Sequence, residues 1–192
     1  MIRILEYGEV ERSEIFARTE PRAGAEDTVR DIIADVRARG DAALLEYGRR
    51  FDSPELDSLT VSANEIDAAL ESVEPEFLRI LREAADNIRV FHEHQKRSSF
   101  IISEREGVVI GQKVMPIERA GLYVPGGTAA YPSTVLMDAI PAKIAGCGQI
   151  IMVTPPAADG SVNPVILAAA RIAGVDRIFK LGGAQAIAAL AY

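Results

Sequence analysis

In the second half of the chain an apolar run, a turn and a helical stretch recur at about thirty residues, the spacing of βαβ units built on a parallel sheet. The first run is Ala120 to Val124, followed by Pro125-Gly126-Gly127. The second is Gln149 to Thr154, followed by a loop from Pro155 to Asn163. Pro164 then opens a helix from Val165 to Ala173, and Gly174 ends it. The third is Arg177 to Leu181, followed by Gly182-Gly183 and an alanine-rich helix from Ala184. The helix after the first glycine pair is expected to be capped by Ser133. It is expected to kink at Pro141, which has no N–H for the helical ladder. The repetition is architectural, because the three units do not resemble one another residue by residue.

A parallel sheet needs cover on both faces. Three strands with their own helices make a small sheet, and the sequence stops at Tyr192 inside an apolar helix. More chain, or a partner, is therefore expected to supply cover. The first half reads helical. Val29, Ile32, Ile33 and Val36 share one helix face, Gly40 is a stop, and Asp41 is a candidate N-cap for a helix carrying Leu44, Leu45, Tyr47 and Phe51. Leu59-Thr60-Val61 is a candidate short strand, and Ser62 with Glu65 fits a capping box. Pro75 suits the first turn of a helix ending near Gln95, with a stripe of Phe77, Leu81, Ala84, Ile88 and Phe91. Continuing that stripe places the polar Gln95 toward the core. Phe100–Ile102 and Val108–Ile110 read as a hairpin around Glu104 to Gly107. Pro116 is the candidate boundary, giving a helical segment plus hairpin over 1–116 and the βα units over 117–192.

Composition excludes several classes. Hydrophobic residues make up 48% and charged residues 26% of the 192, which is incompatible with global disorder. The net charge is −7 and no basic cluster stands out, so nucleic acid and anionic membranes are not expected partners. No apolar run approaches the ~20 residues of a membrane span. The first residues lack a signal-peptide pattern, so a cytoplasmic location is expected. The single cysteine, Cys147, permits no intrachain disulfide and no thiolate zinc cluster. The two histidines, His92 and His94, point away from each other on a helix and cannot share a metal. His94 is expected on the surface and His92 packed beside the stripe.

Ligands of open parallel sheets lie outside the carboxyl ends of the strands. Both glycine pairs fall there. They can be tight βα turns, or they can let backbone N–H groups approach an anionic ligand at a helix N-terminus. Neither pair forms the G-x-G-x-x-G fingerprint or a phosphate loop of the G-x-x-x-x-G-K-[ST] type, and Thr154-Pro155 offers no acidic residue to hold a ribose. Spacing alone therefore supports a small anionic ligand. Tyr123 ends the first strand beside the crevice, as a ligand contact or an ordinary strand tyrosine. Gln185 is the polar exception in an apolar helix, bonded either to the neighbouring loop or to a ligand. Cys147 reads as a small hydrophobe. Asp138 can cap or contact a ligand, but it has no histidine partner for a triad.

The stretch ERAGLYVPGGTAAYPSTVLMDAIPAKIAGC (Glu118 to Cys147) closely resembles the histidinol dehydrogenases. So do LGGAQAIAAL from Leu181, VRARGDAAL from Val36, Arg50-Phe51-Asp52, and NIRVFH from Asn87 with Gln95. The resemblance implies NAD-dependent oxidation of L-histidinol to L-histidine through the aldehyde, at the end of histidine biosynthesis, by a zinc-dependent homodimer. It implies an α/β fold: a mostly helical N-terminal segment with a β-hairpin, part of a discontinuous first domain over 1–116, then an incomplete Rossmann-like NAD-binding domain over 117–192. It places Tyr123 and Gln185 on NAD, and by position Pro125, Gly126 and Gly127. The family's zinc ligands and its glutamate–histidine acid/base pair match nothing here. The expectation is an N-terminal portion with no catalytic residue and no metal ligand of its own, inactive alone, with zinc only in the full-length enzyme. The alternative is a non-catalytic nucleotide-binding or dimerisation module derived from the enzyme.

Overall fold

The computed structural model describes residues 4–16, 24–53, 55–126 and 130–192. In chain order these contain α1 (Arg12–Ile15), α2 (Ala25–Arg39), α3 (Asp41–Phe51), α4 (Ala63–Ser72), α5 (Pro75–Glu93), β1 (Phe100–Arg105), β2 (Val108–Gln112), β3 (Arg119–Tyr123), α6 (Pro132–Ala145), β4 (Gln149–Thr154), α7 (Pro164–Ala173), β5 (Arg177–Lys180) and α8 (Gly183–Ala191). The strands form an antiparallel pair, β1-β2, and a parallel sheet in the order β3-β4-β5. Ala120 pairs with Ile150, and Met152 with Ile178.

The parallel sheet separates two cores, because successive side chains of a strand point to opposite faces. Ile150, Met152 and Ile178 pack with α6 and α7, and behind those helices lie Ala69 of α4 and Leu81 and Ala85 of α5. Val153 and Leu181 pack on the other side with Ile32, Val36, Ala43 and Leu44 of α2 and α3 and with Ala186 and Ala188 of α8. The further cover that the sheet requires thus comes on this second face from α2 and α3, in the first half of the chain, beside α8. The segment 59–61 closes the outer side of β5. Thr60 bridges Phe179 antiparallel, the Lys180 amide donates to the Leu59 carbonyl at 2.7 Å, and the Val61 amide donates to the Ile178 carbonyl at 3.0 Å. The expected strand is reduced to this single bridge.

Local signals act largely as their chemistry dictates. Ser62 Oγ accepts from the Glu65 amide at 3.2 Å, and Glu65 Oε2 accepts from the Ser62 amide at 2.8 Å, a complete capping box. Gly174 takes a left-handed φ of 80° to end α7. Three expectations are corrected. Gly40, with φ of 56°, both ends α2 and precedes α3, so Asp41 is the first helical residue rather than the cap. Ser133 is not the cap of α6. Pro132 holds the first helical position, which its fixed φ favours, so the cap is Tyr131 and the start lies two residues earlier. Along α5 the expected stripe holds except at its end: Leu81 is buried, Phe77, Ala84 and Ile88 pack against the core beside Ala85, and Phe91 is 64% exposed. The helix ends at Glu93, and Gln95 lies exposed, not in the core.

Pro141 sits inside α6, which runs unbroken through it. The missing N–H frees the Met137 carbonyl, on a residue that faces water. The hairpin turn narrows to Glu106-Gly107, with Gly107 at φ 74°, and every residue of both strands is exposed.

Candidate cofactor site

The carboxyl edge of the parallel sheet brings together residues far apart in sequence. Tyr123 ends β3, Pro155 follows β4, and Gly182 follows β5 and precedes α8. A Cβ added to Gly126 would meet the Pro155 carbonyl oxygen at 3.0 Å. A Cβ on Gly182 would meet Pro155 Cγ at 2.7 Å and Asp52 Oδ1 at 3.0 Å. The two glycine turns therefore close on the same proline, and neither has room for a side chain without displacement. Here glycine is required by close approach.

Tyr123 and Gln185 converge on Gly183. The Gly183 amide donates to the Tyr123 hydroxyl at 3.2 Å. Gln185, in the first turn of α8, is 2% exposed, and its amide lies against Gly183, where an added Cβ would be 2.7 Å from Oε1. Gly183 has φ of 63°, so a larger residue there would be strained in backbone as well as space. Pro125 and Gly126 are exposed beside this edge. Gly127 lies outside the described residues. Of the five residues singled out from sequence, four thus belong to the described edge, and Tyr123 and Gln185 share one glycine. The glycine turns are packed by the chain's own Pro155, Asp52 and Gln185, so the backbone of this edge is held closely in place.

The sequence analysis gave no role to Asp52. It lies one residue past α3, and its carboxyl approaches Gly182, where an added Cβ would lie 3.0 Å from Oδ1. Burial pushes that carboxyl above the usual aspartate range, and the nearby Gly182 backbone opposes the shift. Its Oδ2 is buried with no hydrogen-bond partner. Ser53 beside it is fully buried and donates to the Ala158 carbonyl at 2.8 Å. Arg50-Phe51-Asp52 carried a family likeness, but nothing in spacing connects position 52 to position 182.

The remaining candidates lie elsewhere. His92 Nδ1 is 2.7 Å from Gln95 Oε1, and His94 Nδ1 is 2.8 Å from the Val90 carbonyl. His92, Gln95, Lys96, Met115 and Pro141 are among the residues lining a cavity of about 440 Å³ that none of the crevice residues joins. Cys147 is half-buried against the α6–α7 core. Asp138 is half-buried, and burial alone pushes its carboxyl up. Among the described residues, no group of three or more His, Cys, Asp or Glu side chains converges as a metal site would require.

Residues 17–192 match the family model described as histidinol dehydrogenase. A curated histidinol dehydrogenase of Clostridium acetobutylicum is 48% identical over all of this chain and 46% of its own length. That of Syntrophotalea carbinolica is 54% identical over 93% of this chain and 42% of its own length. The crystal structure of histidinol dehydrogenase from Elizabethkingia anophelis superposes with a TM-score of 0.84 at 40% identity, covering 90% of this chain and 40% of that one. The chain thus spans less than half the length of these relatives. A family model covering nearly the whole sequence, and a shared fold at that identity, show that this chain belongs to the histidinol dehydrogenase family.

Proposed function

We propose that this chain is the N-terminal portion of an NAD-dependent histidinol dehydrogenase and holds part of the cofactor site. The observation that carries the reading is the convergence of Tyr123 and Gln185 on Gly183, where the two glycine turns meet over Pro155. Tyr123 would offer a ring face and a hydroxyl, Gln185 an amide, and Pro125, Gly126 and Gly127 a backbone rim. NAD⁺ supplies the hydride acceptor when bound. The part of this chain is orientation: a rigid edge fixes where the cofactor lies, and rigidity of that kind lowers the entropic cost of reaction.

The division at Pro116 into 1–116 and 117–192 belongs to the same reading, since Pro116 falls between β2 and β3. So do L-histidinol as substrate, a homodimeric enzyme and a cytoplasmic setting. Among the described residues no helix is long and apolar enough to cross a membrane. The side chains in hand do not fit a zinc site, so no step is assigned to a metal on this chain. The 192-residue chain alone is expected to be inactive.

The test is calorimetric titration of the chain with NAD⁺, together with an assay of L-histidinol oxidation with zinc added. Weak binding without turnover is the expected result. Absence of NAD⁺ binding would overturn the cofactor reading. Turnover would overturn the absence of catalytic groups and return His92, His94 and Asp138 to consideration.

A further inference from the structure

Asp52 stands where the helical first half meets the carboxyl edge of the parallel sheet. Its amide donates to the Gly48 carbonyl at 2.9 Å, and so does that of Ser53, also at 2.9 Å. Ser53 is pinned in turn to the Ala158 carbonyl, in the loop between β4 and α7. The backbone at 52–53 is therefore held by α3 on one side and by that loop on the other. From this fixed point the carboxyl reaches Gly182, the N-cap of α8, where an added Cβ would lie 3.0 Å from Oδ1. A carboxylate near a helix N-terminus complements the helix dipole. Gly182 is thereby wedged between Asp52 Oδ1 and Pro155, with no space for a Cβ.

Among the described residues, Asp52 Oδ2 is the one buried side-chain oxygen or nitrogen without a hydrogen-bond partner. A buried unpaired acceptor is costly. Retaining it is understandable if the carboxyl does work through its contact with Gly182. Because Oδ2 is closed to solvent, that work is done through the turn rather than by contact with a ligand.

We propose that Asp52 is a positioning residue of the cofactor site: it locks the β5–α8 turn against Pro155 from behind, so that the Gly183 amide meets the Tyr123 hydroxyl and Gln185 stays seated against Gly183. The proposal rests on the reading of this edge as an NAD site.

The experiment compares the chain with its Asp52→Ala and Asp52→Asn variants by amide hydrogen exchange and NAD⁺ calorimetry. Loss of the carboxyl that wedges Gly182 is expected to speed exchange in 182–185 and to weaken NAD⁺ binding, each by about tenfold, in Asp52→Ala. Exchange in 149–154 should stay unchanged, which separates a local effect from a loss of fold. Asp52→Asn keeps a side chain of the same shape against Gly182 and should remain within about threefold of the parent on both measures. Should Asp52→Ala fail to fold, the parent chain still decides. Its Gly182 amide resonance is expected to move as Asp52 titrates, and a static resonance would overturn the proposal. Unchanged exchange in Asp52→Ala, or Asp52→Asn as impaired as Asp52→Ala, would do the same. Binding by the parent with equal affinity in Asp52→Ala overturns the role of Asp52 alone. No binding by the parent overturns the cofactor reading and, with it, that role.

Discussion

The Tyr123 hydroxyl accepts the Gly183 amide at 3.2 Å, joining the end of β3 to the start of α8 across the central strand β4. A strand-end tyrosine is thereby tied to a helix N-terminus that no local interaction would bring near it. Tyr123→Phe keeps the ring and removes the acceptor. It is expected to lower stability by about 1 kcal/mol, the net worth of one neutral hydrogen bond. NAD⁺ affinity should fall several-fold in Tyr123→Phe and further in Tyr123→Ala, which also loses the ring. Calorimetric titration with parallel thermal melts measures both, and equal NAD⁺ affinity in all three proteins would remove Tyr123 from the site.

Gly182→Ala tests the close packing of the two turns. The new methyl would lie 2.7 Å from Pro155 Cγ and 3.0 Å from Asp52 Oδ1, between a rigid ring and a side chain fixed by its own backbone. Overpacking of this kind costs about 1–3 kcal/mol. The melting temperature should drop, and the carboxyl edge should lose NAD⁺ affinity together with it. A variant as stable as the parent would mean that the turn can move aside without penalty.

Much of this edge was legible in the sequence, and the illegible part has one cause. The βα spacing, the capping box at Ser62 and the stop at Gly174 are local, because the signal and its partner lie within a few residues. Tyr123 stood out because it ends a strand beside the crevice, and Gln185 because it is a polar residue in an apolar helix. Asp52 did not, since its meaning lies in a contact with Gly182 across 130 residues of chain. The exposure of Phe91 at the end of the α5 stripe is likewise not local, since it depends on what that end of the helix meets. The need for cover on the parallel sheet was readable, but not that α2 and α3 would meet it.

Asp176 contributes to the acid limb of stability, as do Glu65 and other carboxyls held below their usual range. Burial pushes the Asp176 carboxyl up. The Lys143 ammonium, 2.9 Å from Oδ2, and the Ile150 amide, 2.7 Å from the same oxygen, outweigh this and hold it below the usual aspartate range. A carboxyl depressed in the folded state adds stability above its unfolded pKa and loses it as pH falls through the folded value. Asp52 and Asp138 are shifted upward, so they act in the opposite sense and favour the folded state on acidification. Asp176→Asn is therefore expected to lower the urea midpoint at neutral pH and to flatten its fall toward acid. Urea titrations of both proteins across the carboxylate range measure this, and parallel pH profiles would remove Asp176 as a contributor.

The β1-β2 hairpin presents apolar side chains on both faces, with Ile101 76% and Val109 72% exposed. Exposed apolar area of this kind binds hydrophobic dyes and drives association. A two-stranded ribbon that packs on nothing also adds little to the stability of the rest. Ile101→Lys with Val109→Lys should therefore reduce dye fluorescence and concentration-dependent association while leaving the melting temperature within about 1–2 °C, as expected for surface changes away from a core. Analytical ultracentrifugation and thermal melts of the double variant decide the matter. A large loss of melting temperature would show that these two side chains are buried in solution, either by self-association of the chain or against a part of the molecule that the exposed geometry does not include.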